Sequence, residues 1–423
     1  MRTWGERVTG EVGSGQDEAA AGFFAPDRDV DSVRERARVT RLRLALRVIV
    51  CLASLVALDA LIAPSFAPPS AYMHDYRLPV TAPTASIADY ANAIDLAARA
   101  PQRRPIAVFL GASPTFGYRV TDTRNTFPAA FESASTTAGA PIQAFNLATN
   151  GQLVGDYLVL AQRFARDADV VFVQLTYHTF SGTGERPRIR YPELPALLGV
   201  PIPAAEGRLL GLPPRGADGS PAVSSALDSR LGRFWTLWRE RDLIDRRLFG
   251  GSPRERIAAW FAPTHAATSA SEPTITVLPD EAGSDFATFD ALDPGAQMAV
   301  VAQYAEDSSF TISPGDEQVA LLYELVRTLA ADRKRAVFFL SPLNREIIDR
   351  YQLIDPAQYE ANVSLLRGIV EERGFLFVDL NAGPDPIPAA DFADISHTND
   401  AGGALVGKLL FDRTSAYLAG VPR

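Results

Sequence analysis

Five short apolar runs constrain this chain more than any other feature. They are PIAVFL (105–110), PIQAFNL (141–147), DVVFVQL (169–175), RAVFFL (335–340) and GFLFVDL (374–380). Each is bounded by polar or turn residues, and each fits a strand buried on both faces. Helical patterns separate them. In SPGDEQVALLYELVRTLAADRK (313–334), Val319, Leu322, Leu325 and Leu329 form one apolar stripe, with Ser313 expected as N-cap and Pro314 at the first helical position. DPAQYEANVSLLRGIVEERG (355–374) repeats the device with Asp355, Pro356 and a closing Gly374. Strands alternating with helices imply an α/β fold of three layers, α/β/α, around a five-stranded parallel, doubly wound sheet.

The alternation occupies residues 101–423 and breaks between 181 and 312, a segment rich in Gly, Pro, Ser and Ala. A structureless loop of that length does not suit a compact domain. The segment therefore reads as a partly helical insertion capping the sheet. Within it, LGRFWTLWRERDLIDRRLFG (231–250) fits one amphipathic helix. Leu231, Trp235 and Trp238 on that helix either pack the cap onto the body or face a groove or a bilayer.

Upstream, LALRVIVCLASLVALDALIAPSF (44–66) is long enough for a membrane span, which needs about 20 mainly apolar residues. Arg47 lies near one end and can snorkel. Asp59 lies deeper and is costly in lipid unless paired or close to the interface. Arg34, Arg36, Arg38, Arg41 and Arg43 precede the span. The positive-inside rule then gives a cytoplasmic N-terminus and an extracytoplasmic C-terminal body. Two other readings fit the same residues: a buried soluble helix, or a signal peptide cleaved after Ser65-Phe66-Ala67. The long charged segment before it speaks against the signal. Residues 1–40 read as a mobile cytoplasmic tail and 67–100 as a Pro-rich spacer.

Composition excludes some functions. The net charge is -9 over 423 residues, and no Lys/Arg run is followed by aromatic platforms, so nucleic acid is not an expected partner. A single cysteine, Cys51, rules out an intrachain disulfide and any Cys-rich zinc spacing. Its apolar surroundings suit a small buried or lipid-facing side chain. The four histidines, His74, His178, His265 and His397, are too scattered for a local metal motif.

The chemistry gathers at two places. The first apolar run stops sharply at GASPTFG (111–117). In a doubly wound sheet, ligands bind beyond the carboxyl ends of the strands, and Ser113 falls there. Gly111 and Ala112 suit a tight turn, and a following helix would aim backbone N–H groups at an anionic intermediate. Taken alone, Ser113-Pro114 reads equally well as a helix cap. Near the other terminus, DFADISHTNDAGGALVGKLLF (391–411) carries Asp394 and His397 three residues apart, before a final helix. A serine nucleophile needs a base, and the base needs an orienting carboxylate. Capping of the final helix by Asp394 or Thr398 is the competing reading.

Together these blocks resemble the SGNH/GDSL hydrolase superfamily, in the family's chain order. GASPTFG is similar to the nucleophile block, which gives Ser113. FNLATNGQLVGD (145–156) looks like the second block, with Asn146 and, five residues on, Gly151. DISH matches the last block, giving Asp394 and His397. The likeness covers roughly 105–180 and 313–415. It departs at Ala112, where the family usually has Asp. It departs again at LTYHTF (175–180), which puts His178 where the oxyanion Asn is expected. An imidazole N–H of His178 would then donate, or Thr176 or Tyr177 instead. Asn344, in SPLN after the fourth strand, points to the same edge without an assigned role.

The resemblance implies a serine esterase or O-acyltransferase working through an acyl-serine. Ser113, Asp394 and His397 would be catalytic, and Ser113, Gly151 and His178 would form the oxyanion site. No metal or organic cofactor is implied. An N-terminal span, an extracytoplasmic SGNH body and an inserted cap are similar in layout to the membrane-anchored teichoic-acid D-alanylation protein and to envelope polysaccharide O-acylation proteins. That implies a bacterial cell-membrane location and an O-acylated glycan or acyl donor as ligand. It also implies the bilayer and a membrane-bound O-acyltransferase as partners. The rival reading is a non-catalytic scaffold of the same fold that holds a glycan or that acyltransferase.

Overall fold

The five apolar runs form five parallel strands: β1 (Ile106–Leu110), β2 (Gln143–Asn146), β3 (Val170–Leu175), β4 (Arg335–Leu340) and β5 (Leu376–Asp379). This computed structural model describes residues 28–62, 87–181, 187–192, 194–212, 289–306, 310–383 and 386–419. The helix expected over 231–250, with Leu231, Trp235 and Trp238, lies outside them. So do residues 1–27 of the tail and most of the Pro-rich stretch. The sheet order is β2-β1-β3-β4-β5, with Val108 beside Phe145 on one side and Val171 on the other.

Helices alternate with the strands in chain order. They are α1 (Arg28–Ile62), α2 (Ile87–Arg99), α3 (Ser113–Phe116), α4 (Phe127–Thr137), α5 (Val154–Phe164), α6 (Leu194–Leu198) and α7 (Ala204–Leu209). Then follow α8 (Pro294–Glu306), α9 (Glu317–Ala331), α10 (Arg345–Tyr351), α11 (Pro356–Glu371) and α12 (Asp400–Leu418). The chain divides into two compact units, Met1–Leu58 and Asp59–Arg423.

In the first unit and just beyond it, α1 is a single helix that begins earlier than the apolar segment. Residues 28–40, expected as mobile tail, are part of it. Its 24-residue stretch Arg38–Leu61 is apolar enough to cross a membrane, and none of it is buried. At 1.5 Å per residue that stretch is about 36 Å long, enough for a hydrocarbon core of about 30 Å.

In the second unit, period-2 geometry sends alternate side chains to opposite faces. Ile106, Val108 and Leu110 enter one apolar cluster with Val171, Val173 and Phe338, covered by α2, α5, α9 and α11. Ala107 and Phe109 enter the other with Phe172, Val337 and Phe339, covered by α4 and α12. On that side Phe109 stacks on Phe172 at 4.4 Å, and Phe131 meets both edge-on at 5.3 and 4.9 Å. Two layers of helix over a sheet buried on both faces explain why the strands carry no polar alternation.

Three expectations for the second unit need correction as well. Residues 87–99, placed in the spacer, form α2, whose Ile87, Tyr90, Ala93 and Ile94 are buried in the first cluster. Amphipathic spacing there outweighs the Pro-rich context upstream. The helix expected from Ser313 starts at Glu317 with Asp316 as N-cap. Ser313 instead donates its N–H to Asp316 Oδ2 in the turn before it. The helix after Ser113 is a single turn closed by Gly117 at φ 94°, so it supplies no extended macrodipole. By contrast α11 starts as read, with Asp355 accepting from Gln358 N at 2.8 Å.

The second face is tightest where α12 crosses α4. A Cβ on Gly407 would lie 2.4 Å from Ala130 Cβ and 2.6 Å from Phe127 O. Gly407→Ala is therefore expected to destabilise the fold by about 1–3 kcal/mol through overpacking. Gly368→Ala in α11, where a Cβ meets nothing within 4 Å, should stabilise by up to about 1 kcal/mol. Denaturant unfolding of the two variants in detergent checks the contrast, and equal stabilities would refute this account of the crossing.

Candidate active site

Because all five strands run the same way, their carboxyl ends share one edge, and the loops leaving β1, β2, β3 and β5 meet there. At the end of β1 the chain turns through Gly111 and Ala112 into α3. Ala112 is the N-cap and makes no side-chain cap. Ser113 is thus the first helical residue, and its hydroxyl is not spent on capping.

The loop between β5 and α12 folds back on itself. Phe392 and Thr398 form an antiparallel bridge, and Ala393 N donates to His397 O at 2.8 Å. This narrow turn holds Asp394 and His397 on one side. The start of α12 is capped by Asn399, which accepts from Gly402 N at 3.1 Å. Neither Asp394 nor Thr398 has that task. The turn is tied to the end of β4 by Asn344, whose N–H donates to Ile395 O at 2.8 Å. Asn344 also caps α10 through Ile347 N, and this is the role that the sequence left blank.

Ser113 Oγ lies 2.8 Å from His397 Nε2. On the other side of the ring, Nδ1 lies 2.8 Å from Asp394 Oδ2 and 3.0 Å from Oδ1. A carboxylate only accepts, so Nδ1 carries the proton and Nε2 is left to accept from the serine. Asp394 Oδ1 also accepts the backbone N–H groups of Ser396 and His397, each at 2.8 Å. Burial pushes the Asp394 pKa up, but the neighbouring His397 and these hydrogen bonds outweigh it and bring it down to about 2. Arg119 Nε stands 3.8 Å from Asp394 Oδ2. The Arg119 guanidinium lies 4.7 Å over the Tyr118 ring, and that ring is 5.3 Å from the His397 ring.

The second block occupies the adjacent loop. Asn146 Nδ2 donates to Thr115 O at 3.2 Å, and its Oδ1 accepts from Ala148 N at 3.1 Å. The residue thus couples the end of β2 to α3. Gly151 sits in the following turn at φ 74°, a conformation that favours glycine. A Cβ there would face Arg190 Nε at 3.6 Å.

After β3, His178 lies in the short 3-10 turn Tyr177–Phe180. Its ring meets Tyr304 of α8 edge-on at 4.1 Å. Tyr304 is half-buried with its hydroxyl buried, and that desolvation together with the Asp394 charge holds its phenol well above the ordinary range. Of the alternative donors, the Tyr177 side chain points into the core, where its hydroxyl accepts from Asn362 Nδ2 at 2.8 Å. Thr176 Oγ1 accepts from Gln174 Nε2 at 3.4 Å.

The structure therefore brings Ser113, His397 and Asp394 into one hydrogen-bonded line, and places Gly151 and His178 in the loops after β2 and β3. Sequence reasoning missed Tyr118, Arg119 and Tyr304, which carry no motif. It also missed Gln174, for which a signal existed: a fully buried amide in the otherwise apolar run VVFVQL.

No protein-family model matches this chain, and no curated protein matches it. Among solved structures it is similar to the crystal structure of LAE5, an alpha/beta hydrolase enzyme from the metagenome of Lake Arreo, Spain. The identity is 13% and the TM-score 0.32, over 74% of this chain and 95% of that one. A likeness of that size carries no functional argument, and the site stands on its own geometry.

A depressed aspartate pKa contributes stability that is complete above the unfolded value, near pH 4, and is lost as the pH falls through the folded value. For Asp394 that window runs from about pH 4 down to about 2. Acid unfolding of Asp394→Asn, followed by circular dichroism, should show a shallower loss of stability across this window than the parent. Superimposable curves would show that the carboxylate is not held as described.

Proposed function

We propose that the protein is an SGNH-type serine ester hydrolase or O-acyltransferase, and the observation that carries this is the line Ser113–His397–Asp394. In this reading His397 Nε2 takes the proton of Ser113 Oγ as the oxygen attacks an acyl carbonyl. Asp394 keeps the proton on Nδ1 and stabilises the imidazolium that forms. The tetrahedral oxyanion is held by the N–H groups of Ser113 and Gly151, with His178 as a third donor. Collapse expels the alcohol, which receives the proton from His397 and leaves an acyl-serine. Water or a sugar hydroxyl, deprotonated by His397, then takes the acyl group and restores Ser113.

The reading extends to location and substrate through the layout of the chain. With the apolar part of α1 as anchor and the arginines of its first turns cytoplasmic, the body is extracytoplasmic at a bacterial cell membrane. O-acyl esters of a cell-envelope glycan are its substrate class, and a membrane-bound O-acyltransferase is a fitting partner. The departures at Ala112 and His178 keep a scaffold of the same fold as the rival.

The test is labelling of the detergent-solubilised protein with a fluorophosphonate. The parent should be labelled and Ser113→Ala should not. Asp394→Asn should slow ester turnover by about 10³–10⁴-fold while the fold survives. Equal labelling of parent and Ser113→Ala would remove Ser113 as nucleophile, and a folded but unreactive parent would favour the scaffold.

A further inference from the structure

The geometry points to Gln174 as a positioning residue that sets the nucleophile turn and dedicates the Ser113 N–H to the oxyanion; this rests on the serine-hydrolase reading above. Gln174 stands near the carboxyl end of β3 and is fully buried. Its Oε1 accepts from Ala112 N at 2.9 Å and from Thr115 N at 3.3 Å. Its Nε2 donates to Ser341 Oγ at 2.9 Å and to Thr176 Oγ1 at 3.4 Å. One side chain thus joins the turn after β1 to the ends of β3 and β4.

The backbone donors of the turn can be followed one by one. Ala112 and Thr115 give theirs to Gln174. Pro114 has none. Phe116 N donates to Ala112 O at 2.9 Å, and Gly117 N to Ser113 O at 3.0 Å. Ser113 N has no acceptor among the described residues. It is the one backbone donor of Ala112–Gly117 left for a ligand, and it belongs to the residue whose hydroxyl meets His397. Without Oε1, the N–H groups on either side of Ser113 would lose their buried acceptor. The turn would then relax to find others.

Gly111 supports the same assignment. A Cβ there would lie 2.6 Å from Gln174 Oε1 and 2.7 Å from Thr115 Cβ. The amide occupies the space that a side chain at 111 would need. Gln174 touches no reacting atom, so its effect belongs to the step in which the oxyanion forms.

The experiment measures fluorophosphonate inactivation of the full chain in detergent, separating the maximal rate kinact from the binding constant KI, alongside thermal unfolding. In Gln174→Met, kinact is expected to fall about 10–100-fold with KI within about threefold, since a misplaced oxyanion donor acts in the transition state. Gln174→Glu keeps an acceptor oxygen at the same reach and should recover kinact to within about tenfold of the parent. Ser341→Ala frees the far end of the amide and should lower kinact several-fold.

A folded Gln174→Met with kinact within threefold of the parent overturns the proposal. So does equal slowing in the Met and Glu variants. If the Met variant does not fold, an unchanged kinact in Ser341→Ala overturns it instead. Labelling that does not depend on Ser113 defeats the hydrolase reading itself, whereas Ser113-dependent labelling indifferent to Gln174 defeats only this inference.

Discussion

The contact between Ser113 and His397 spans 284 positions of sequence, and it is the shared direction of five strands that makes so long a closure possible. In a parallel sheet every strand ends on the same edge, so loops far apart in sequence arrive together. The strands must then be apolar on both faces, and helices must cover both. Those two demands account for most of the composition of the body. The polar exceptions at the carboxyl edge are therefore informative. Gln174, Asn146 and Asp379 are buried, and each bonds to a loop rather than to a neighbouring strand. Gln174 holds the turn of Ala112 and Thr115, and Asn146 holds Thr115. Asp379 accepts from Asn381 N at 2.8 Å. Asn381 in turn donates to Ser341 O and accepts from Leu343 N.

Much of this was legible in the sequence, and the parts that were not share a cause. The five apolar runs end within two residues of the strands they form, because burial on both faces leaves an unbroken signal. The helix at 356 was readable because Asp355 and Pro356 are local devices. The start of α9 was misread because two plausible caps lie three residues apart. Ser313 is engaged in the turn while Asp316 begins the helix, in which Val319 and Leu322 are buried. Ser113, Asp394 and His397 could be named because each sits in a short local pattern, the first at a strand end and the other two just before the final helix. Their mutual geometry could not be read, since it depends on where the β5–α12 loop lands. Gln174 was visible as an anomaly, a polar residue inside an apolar run, but its partners come from three separate segments. Tyr118, Arg119 and Tyr304 carry no local signature at all.

Where that loop lands is decided by the start of α12, and small residues there do what a motif search ignores. A Cβ on Gly402 would lie 2.1 Å from Asp391 O, and one on Gly403 would lie 2.2 Å from Asn125 O. The pair read simply as part of a helix, yet it lets the helix press against its own preceding loop and against the segment after the Ser113 turn. Asp400, the first residue of α12, completes the contact. Its carboxylate accepts from the N–H and hydroxyl of Thr121, from Asp122 N and from Asn125 Nδ2. Burial raises the Asp400 pKa, but these donors prevail and hold it below the ordinary value.

The consequence is a site anchored from both sides of each partner. Ser113 is preceded by a turn held by Gln174 and followed by a loop held by Asp400. His397 is preceded by Asp394, itself held by two backbone N–H groups, and followed by a capped helix pressed against that same loop. Residues 121–125 therefore bond directly to the first turn after His397. A shift of α12 would carry the imidazole and the segment behind Ser113 together, which preserves their separation better than two independent loops would. Proximity of this kind lowers a barrier only when it survives thermal motion. The chain secures it with hydrogen bonds to backbone groups, which depend on the path of the main chain more than on the identity of neighbouring side chains.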